Sequence, residues 1–179
     1  MAIDGIEYVT VVNEQDEELG VMPRATAHRD GTPHRIAVTY VENDRAEILV
    51  QVRARGGAHD HSSAGHVEPG DSYIDTAKRE LAEELGITSV ELKKIGHGIS
   101  REESGDGSRK THVFDIFLCT AEPVRLQASE LTRVYWADPN TLLTDMSSPE
   151  SRIEYAGGFR ASLPIYLAWR DDRATVAGA

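Results

Sequence analysis

Short apolar runs separated by polar turns occupy the N-terminal part of the chain, a pattern that predicts strands. We expect strands at residues 8–12, 19–22, 36–41 and 46–52. The first two flank a polar stretch and predict a β-hairpin. Residues 28–34 contain Asp30-Gly31 and Pro33, which favour a turn-rich linker between the hairpin and the later strands.

One helix is marked more clearly than any other element. Ser72, with Asp75 three positions later, forms a capping-box start, and Gly86 is a typical C-terminal stop. The apolar positions between them are spaced three, four and four residues apart, which is typical of a helix with one buried stripe. They are Ile74, Ala77, Leu81 and Leu85.

The second half of the chain alternates between strand and helix patterns. We expect strands at residues 90–95, 111–120 and 134–136. Residues 101–110 predict a charged loop that turns at Asp106-Gly107. We expect its Glu102 and Glu103 to be solvated acids. Asp138 before Pro139 predicts a helix start. The terminal helix should have Pro164 in its first turn, and residues 171–179 should form a frayed tail.

Length and charge limit the possible functions. A chain of 179 residues suits one α/β domain, and a net charge of −11 argues against a surface for duplex nucleic acid. The single cysteine, Cys119, lies in an apolar run and predicts a buried thiol. With no secretory or long apolar segment in the sequence, we expect a cytoplasmic location and no membrane partner.

The predicted helix carries three crowded carboxylates. Glu80 and Glu84 lie one turn apart, and Glu83 lies three residues after Glu80. Like charges at this spacing repel one another, and a hard divalent cation such as Mg²⁺ would remove the conflict. The alternative is a solvated, Glu-rich helix face.

The residues around these acids resemble the Nudix box. That motif is a glycine, five residues, a glutamate, seven residues, then Arg-Glu-aliphatic-any-Glu-Glu-any-Gly-aliphatic. Eight of its nine specified positions match between Gly65 and Ile87, and the exception is Asp71, where the family has glutamate. The match is long and its spacing is specific.

The resemblance implies roles for individual residues. The Gly65 carbonyl and the carboxylates of Glu80, Glu83 and Glu84 would hold Mg²⁺ or Mn²⁺. Arg79 would pair with Asp71 to orient the loop, and the shorter Asp71 puts that geometry in doubt. Either Glu83 or Glu84 would take the proton of the attacking water, with Glu130 as a further candidate. Arg53 and Arg55 could contact a phosphate or simply be solvated.

A second resemblance concerns the histidines. His59, His61 and His66 match no closed zinc pattern, so we expect loop solvation or substrate contact. The opening hairpin and the Ala64-Gly65-His66 turn are similar to the isopentenyl-diphosphate isomerase branch of the same superfamily. Those isomerases have a catalytic cysteine before the Gly-His pair, where this chain has Ala64. The resemblance therefore implies related architecture but a different reaction.

Together these features imply a Nudix α/β/α sandwich with a mixed sheet and an N-terminal hairpin. Residues 1–33 would form the hairpin and linker, and residues 34–170 the core of a single domain. The expected activity is metal-dependent hydrolysis of a diphosphate linkage in a small molecule, by a monomer or a homodimer. An isomerase-like enzyme and a non-hydrolytic nucleotide-diphosphate sensor are the alternatives, and the substrate stays open.

Overall fold

The computed structural model describes residues 2–3, 5–103 and 109–177. In these residues the chain forms ten strands and four helices. The strands are β1 (Ala2–Ile3), β2 (Ile6–Val12), β3 (Glu18–Pro23), β4 (His34–Glu42), β5 (Ile48–Arg53), β6 (His59–Asp60), β7 (Ser63–His66), β8 (Lys93–Glu103), β9 (Arg109–Thr120) and β10 (Leu131–Ala137). The helices are α1 (Arg24–Asp30), α2 (Tyr73–Leu85), α3 (Pro139–Ser147) and α4 (Gly157–Ala177).

The sheet is built around β4, which lies parallel to β9 from the His34–His112 pair to the Glu42–Thr120 pair. On its other side β4 pairs antiparallel with β7. β8 is antiparallel to β9, and β10 is antiparallel to β5. The sheet is therefore mixed, as the sequence pattern predicts. The hairpin of β2 and β3 is also present, and it joins β4 at the Val11–His34 pair.

Helices cover both faces of this sheet. On one face α2 packs with its apolar side against β4 and β9, through residues such as Ala77, Leu81, Leu85, Val41 and Phe117. On the other face α3 and α4 enclose a second cluster that includes Tyr40, Phe114, Ile116, Phe159, Leu163 and Tyr166. Because β9 is covered on both faces, residues 112–119 are all buried, including the Cys119 thiol. The arrangement confirms the α/β/α sandwich.

The motif helix begins and ends where the sequence predicts. The Ser72 hydroxyl accepts the backbone N–H of Asp75, and Gly86 closes α2 in the left-handed region at φ 70°. The apolar stripe is shorter than expected. Ala77, Leu81 and Leu85 are buried, but Ile74 lies in the first turn, beyond the sheet it was expected to cover, and is 36% exposed.

Only the first part of the expected linker at residues 28–34 is helical, since residues 31–33 form a turn and His34 begins β4. α1 occupies Arg24–Asp30 and ends at Gly31, which adopts φ 68°. The prediction is wrong for residues 28–30, because Asp30-Gly31 terminates a helix and is not an isolated turn. α1 packs on β2 and β9, which places His28 against the sheet.

Two further boundaries differ from the prediction. β8 runs from Lys93 to Glu103, so the first part of the expected loop is strand, while the Asp106-Gly107 turn lies outside the described residues. α4 begins at Gly157, so Pro164 lies inside the helix, and it continues to Ala177 instead of ending at residue 170. Glu102 accounts for the early start, because its Oε1 accepts the N–H of Gly158 at 3.0 Å. Glu102 is therefore not the solvated acid we expected.

Among the described residues, no helix is long and apolar enough to cross a membrane.

Candidate active site

The candidate site lies where β7 passes the buried side of α2. The backbone N–H of Ala64 donates to Glu84 Oε2 at 3.2 Å. At the next residue the strand comes so close to Glu80 that a Cβ on Gly65 would lie 2.1 Å from the carboxyl carbon. Glycine is required at this position because any larger residue would push Glu80 away. β7 and α2 therefore hold the two carboxylates side by side.

Both carboxylates are withdrawn from water. Glu84 is 4% exposed, and burial raises its pKa to about 8, with the negative charges of Glu80 and Asp60 adding to the effect. Burial also raises the pKa of Glu80 to about 7, against the opposing effect of Arg79. Two buried acids that resist ionisation form a poor salt-bridge site, but they suit a divalent cation that compensates both charges.

Glu83 has a different environment. Its side chain is about half exposed, and its nearest cation is Arg79 Nη1 at 3.7 Å. Glu130 is exposed and accepts a hydrogen bond from Gln127 Nε2 at 2.8 Å, and its negative charge contributes to the raised pKa of Glu80. The structure thus brings Glu80, Glu83 and Glu84 together, with Glu130 at their edge.

The expected pair between Arg79 and Asp71 does not form. Arg79 Nη1 lies 2.6 Å from Glu80 Oε1, and Nη2 donates to the His66 carbonyl at 3.4 Å. Asp71 is exposed, and its backbone N–H bonds to the Glu68 carbonyl. A side chain shorter by one methylene points into solvent, and the guanidinium turns to the nearer carboxylate. Arg79 still links the loop to α2, but it does so through the backbone of β7.

An ion pair with one buried partner, which the sequence did not reveal, lies beside these acids. Asp60 is fully buried and accepts the Nε–H of Arg53 at 2.7 Å. The positive charge of Arg53 and the N–H groups of His61 hold the pKa of Asp60 well below its usual range despite the burial. The Arg53 side chain remains 47% exposed, so part of its guanidinium faces solvent near Glu84. Arg53 is thus an ordered cation at the site, whereas Arg55 is exposed.

The three histidines singled out in the sequence have separate environments. His59 Nδ1 lies 2.7 Å from the hydroxyl of Tyr135. His61 is buried between Asp60 and Ser162, with 2.7 Å from its Nε2 to Ser162 Oγ. Ser162 is fully buried, so this Asp-His-Ser arrangement offers no accessible nucleophile. His61 is structural, and the expectation of a solvated or substrate-contacting loop residue is wrong for it.

His66 belongs to a group that sequence reasoning missed. Together with His28, His34 and His112 it forms a cluster in which each residue has one ring nitrogen within 4.8 Å of those of the other three. The only sequence signal was the richness of residues 28–34 in histidine, and the four positions are brought together by strand pairing.

Comparison with known proteins agrees with this geometry. The family model for the NUDIX domain matches residues 32–155. An uncharacterised Nudix hydrolase of Pseudomonas aeruginosa is 31% identical over 172 residues, which is 93% of this chain and 96% of that protein. An isopentenyl-diphosphate Δ-isomerase 2 of Aromatoleum aromaticum is 30% identical over 148 residues, 78% of this chain and 77% of that protein.

Solved structures support the same fold. The DR0079 protein of Deinococcus radiodurans superposes with a TM-score of 0.69 at 21% identity, covering 86% of this chain and 95% of that one. An Ap4A hydrolase of Caenorhabditis elegans superposes with a TM-score of 0.57 at 19% identity, covering 77% and 98%. Nudix hydrolases generally use divalent metal ions, and the buried carboxylates on α2 fit that requirement. The chain belongs to the Nudix superfamily and is a Nudix-type hydrolase.

Proposed function

We propose that this enzyme uses Mg²⁺ or Mn²⁺ to hydrolyse a diphosphate linkage in a nucleoside diphosphate-X compound or another organic diphosphate. The observation that carries the proposal is the pairing of Glu80 and Glu84 against the backbone of β7. Glu84 is buried and the Glu80 side chain is only 12% exposed, and both have a pKa raised to near neutrality or above. A divalent cation would displace the protons that these acids hold at neutral pH and would compensate both negative charges.

The carboxylates divide into two environments with different roles. Glu80 and Glu84 are the buried pair that would hold the metal, with the Gly65 carbonyl beside them. When bound, the cation would neutralise charge on the diphosphate and lower the pKa of a water molecule. Glu83 is half exposed and its ion pair with Arg79 is long, at 3.7 Å, so it is the acid best placed to accept that water's proton.

Two arginines supply positive charge for a negatively charged substrate. A chain with a net charge of −11 repels a diphosphate at long range, so positive groups must be local. Arg53 is fixed by Asp60, and Arg79 is fixed by Glu80, yet both keep part of the guanidinium exposed. A planar fork that is already oriented can bind phosphate oxygens without losing further side-chain freedom.

Because some relatives are named as isomerases, isomerisation of a prenyl diphosphate is the second candidate reaction, but Ala64 argues against it. A side chain at this position is needed to move a proton on carbon, and a methyl group has no exchangeable proton. The peptide N–H of Ala64 instead donates to Glu84. A non-hydrolytic sensor is disfavoured as well, because a pure binder has no need to retain Glu83 next to a complete buried pair.

One experiment separates the three functions. Nucleotide sugars, dinucleotides, nucleoside triphosphates and prenyl diphosphates are incubated with Mg²⁺ in ¹⁸O-labelled and deuterated water. A hydrolase places ¹⁸O in the phosphate product, whereas an isomerase places deuterium in the carbon skeleton. A sensor does neither but is stabilised by its nucleotide. We expect ¹⁸O in the phosphate product. The rate of its incorporation should fall by at least about 100-fold in Glu84→Gln. Deuterium in a prenyl diphosphate with unlabelled phosphate would overturn the proposal.

A further inference from the structure

A network of buried polar side chains begins at the arginine beside the carboxylates of α2. Arg53 donates its Nε–H to Asp60 Oδ2 at 2.7 Å. The other carboxylate oxygen, Oδ1, accepts the backbone N–H of His61 at 2.9 Å and lies 2.8 Å from the Nδ1 atom of the same residue. Asp60 is 0% exposed, so protein groups must balance its charge in place of water. Arg53 and His61 therefore hold the carboxylate from two sides.

The network continues from His61 to α4 and β4. His61 Nε2 lies 2.7 Å from the hydroxyl of Ser162, which in turn lies 2.7 Å from the hydroxyl of Tyr40. Asp60 and these three residues are each at most 1% exposed. The protons can be assigned without conflict, because Tyr40 can donate to Ser162, and Ser162 to His61 Nε2. The imidazole proton then lies on Nδ1, which faces Asp60. Asp60 is therefore braced by residues in the core between β4 and α4.

Stability alone does not account for this arrangement. Burying a carboxylate is costly, and an ion pair of this kind is often no more stabilising than apolar residues in its place. The partner is also only half buried, since 47% of the Arg53 side chain is exposed. The contact does fix a direction, because Arg53 turns both Nε and Nη2 to Asp60 Oδ2 and leaves Nη1 for an external ligand. The pair therefore orients a cation at the surface of the site.

Without this contact, Arg53 has other acids to which it can turn. Its pKa is raised first by the negative charge of Asp60 and further by the charges of Glu102 and Glu84. Glu102 already accepts the N–H of Gly158. A guanidinium paired with Glu84 would neutralise a carboxylate that the metal ion needs, and it would no longer be available to a phosphate. Asp60 therefore keeps the cation apart from the carboxylates on α2.

We propose that Asp60 is a positioning residue, which holds Arg53 ready for the substrate's diphosphate and away from Glu84. The inference rests on the proposed function, because it takes a diphosphate as the ligand. Asp60 itself does not touch the substrate, since it is fully buried. A guanidinium that is already held in one orientation binds phosphate oxygens without first losing side-chain freedom. The contribution of Asp60 should therefore appear in the affinity for the diphosphate, and it should depend on Arg53.

Binding of an analogue that is not hydrolysed measures this contribution separately from turnover. Methylenediphosphonate has a P–C–P bridge in place of P–O–P, and calorimetry gives its affinity for the full-length protein in saturating Mg²⁺. Asp60→Asn keeps the size of the side chain and removes its charge, so the affinity should fall by at least about 10-fold. For a substrate identified in the panel, KM should rise by a similar factor, while kcat should change by less than about threefold.

Two further variants link this loss to Arg53. In an Arg53→Gln background, Asp60→Asn should change the affinity by less than about twofold, because the side chain that it positions is gone. Asp115→Asn is the matched control, since Asp115 is also a buried carboxylate that pairs with a half-exposed cation, Lys94, at 2.6 Å. This control should bind the analogue as the wild type does. Circular dichroism checks that each variant is folded.

A measurement on the unaltered protein does not depend on the folding of any variant. In protein labelled with ¹⁵N-arginine, the Nε–H of Arg53 should exchange slowly with solvent because Asp60 holds it, and its resonance should shift when methylenediphosphonate binds. An Asp60→Asn affinity equal to that of the wild type, an undiminished effect in the Arg53→Gln background, an equal loss in Asp115→Asn, or a rapidly exchanging Arg53 Nε–H would each overturn the proposal. If no compound in the panel is hydrolysed, the proposed hydrolase function fails, whereas these binding results still decide whether Asp60 positions Arg53.

Discussion

The buried carboxyl of Glu84 makes the stability of the metal-free protein depend on pH. Its pKa rises from 4.5 to about 8 on folding, because the ionised form loses its hydration. The folded state therefore favours the protonated carboxyl. This contribution to the free energy of unfolding is fully present below about pH 4.5, and it is lost as the pH rises through about 8.

The size of the effect follows from the difference of about 3.5 pKa units. At 1.36 kcal/mol per unit, ionising Glu84 in the folded, metal-free protein costs about 5 kcal/mol, which is an upper limit because the protein can relax. Glu84 is 4% exposed, so screening by solvent reduces this little. Replacement by glutamine keeps the size and the acceptor for the Ala64 N–H, but it removes the titration.

Urea unfolding in EDTA, between about pH 5 and pH 9, measures this contribution. The wild type should lose several kcal/mol more than Glu84→Gln across this range, and Mg²⁺ should restore the wild type at the alkaline end. Glu83→Gln is the matched control, because Glu83 is about half exposed and should leave the pH dependence close to that of the wild type. Equal pH dependence in the wild type and Glu84→Gln would refute the reasoning.

Two further predictions concern the contacts of Glu80 with β7 and with Arg79. Gly65→Ala places a Cβ 2.1 Å from the carboxyl carbon of Glu80, so turnover should fall by about 100-fold or more while circular dichroism shows a folded protein. A normal rate would mean that Glu80 can move without consequence. Since Arg79 contacts Glu80 and not Asp71, a double-mutant cycle on stability should couple Arg79→Ala with Glu80→Gln by about 0.5–3 kcal/mol. The cycle with Asp71→Ala should be additive within about 0.5 kcal/mol, and strong coupling there would restore the expected pair.

The features predicted correctly from the sequence are those encoded locally. The start and end of α2 depend on Ser72 and Gly86, and both lie directly beside the helix that they cap. The crowding of Glu80 and Glu84 follows from helical spacing alone. Their burial does not, because it depends on β7 crossing the helix at Gly65, and only the family resemblance pointed to that contact.

The features missed from the sequence depend on distant pairings. His34 and His112 meet because β4 lies parallel to β9, and no local pattern specifies this register. Likewise, the ion pair of the buried Asp60 could not be predicted, because its partner Arg53 contacts it across the β5–β6 pair. Arg79 was given the wrong partner because side-chain length decides whether it pairs with Asp71 or with Glu80. The spacing of residues in the motif does not contain this information.

The parallel pairing of β4 with β9 also sets an order for folding during synthesis. His34 lies opposite His112, so the central ladder closes between residues 78 positions apart in the sequence. Until β9 leaves the ribosome, α2 can pack against β4 and β7 but not against β9, and part of its apolar surface stays in water. Long-range parallel pairing of this kind is slow to form, because a large loop must be closed first. A nascent chain that stops before residue 109 would therefore contain the complete motif of residues 65–87 but would lack β9, and the core beneath α2 would be incomplete.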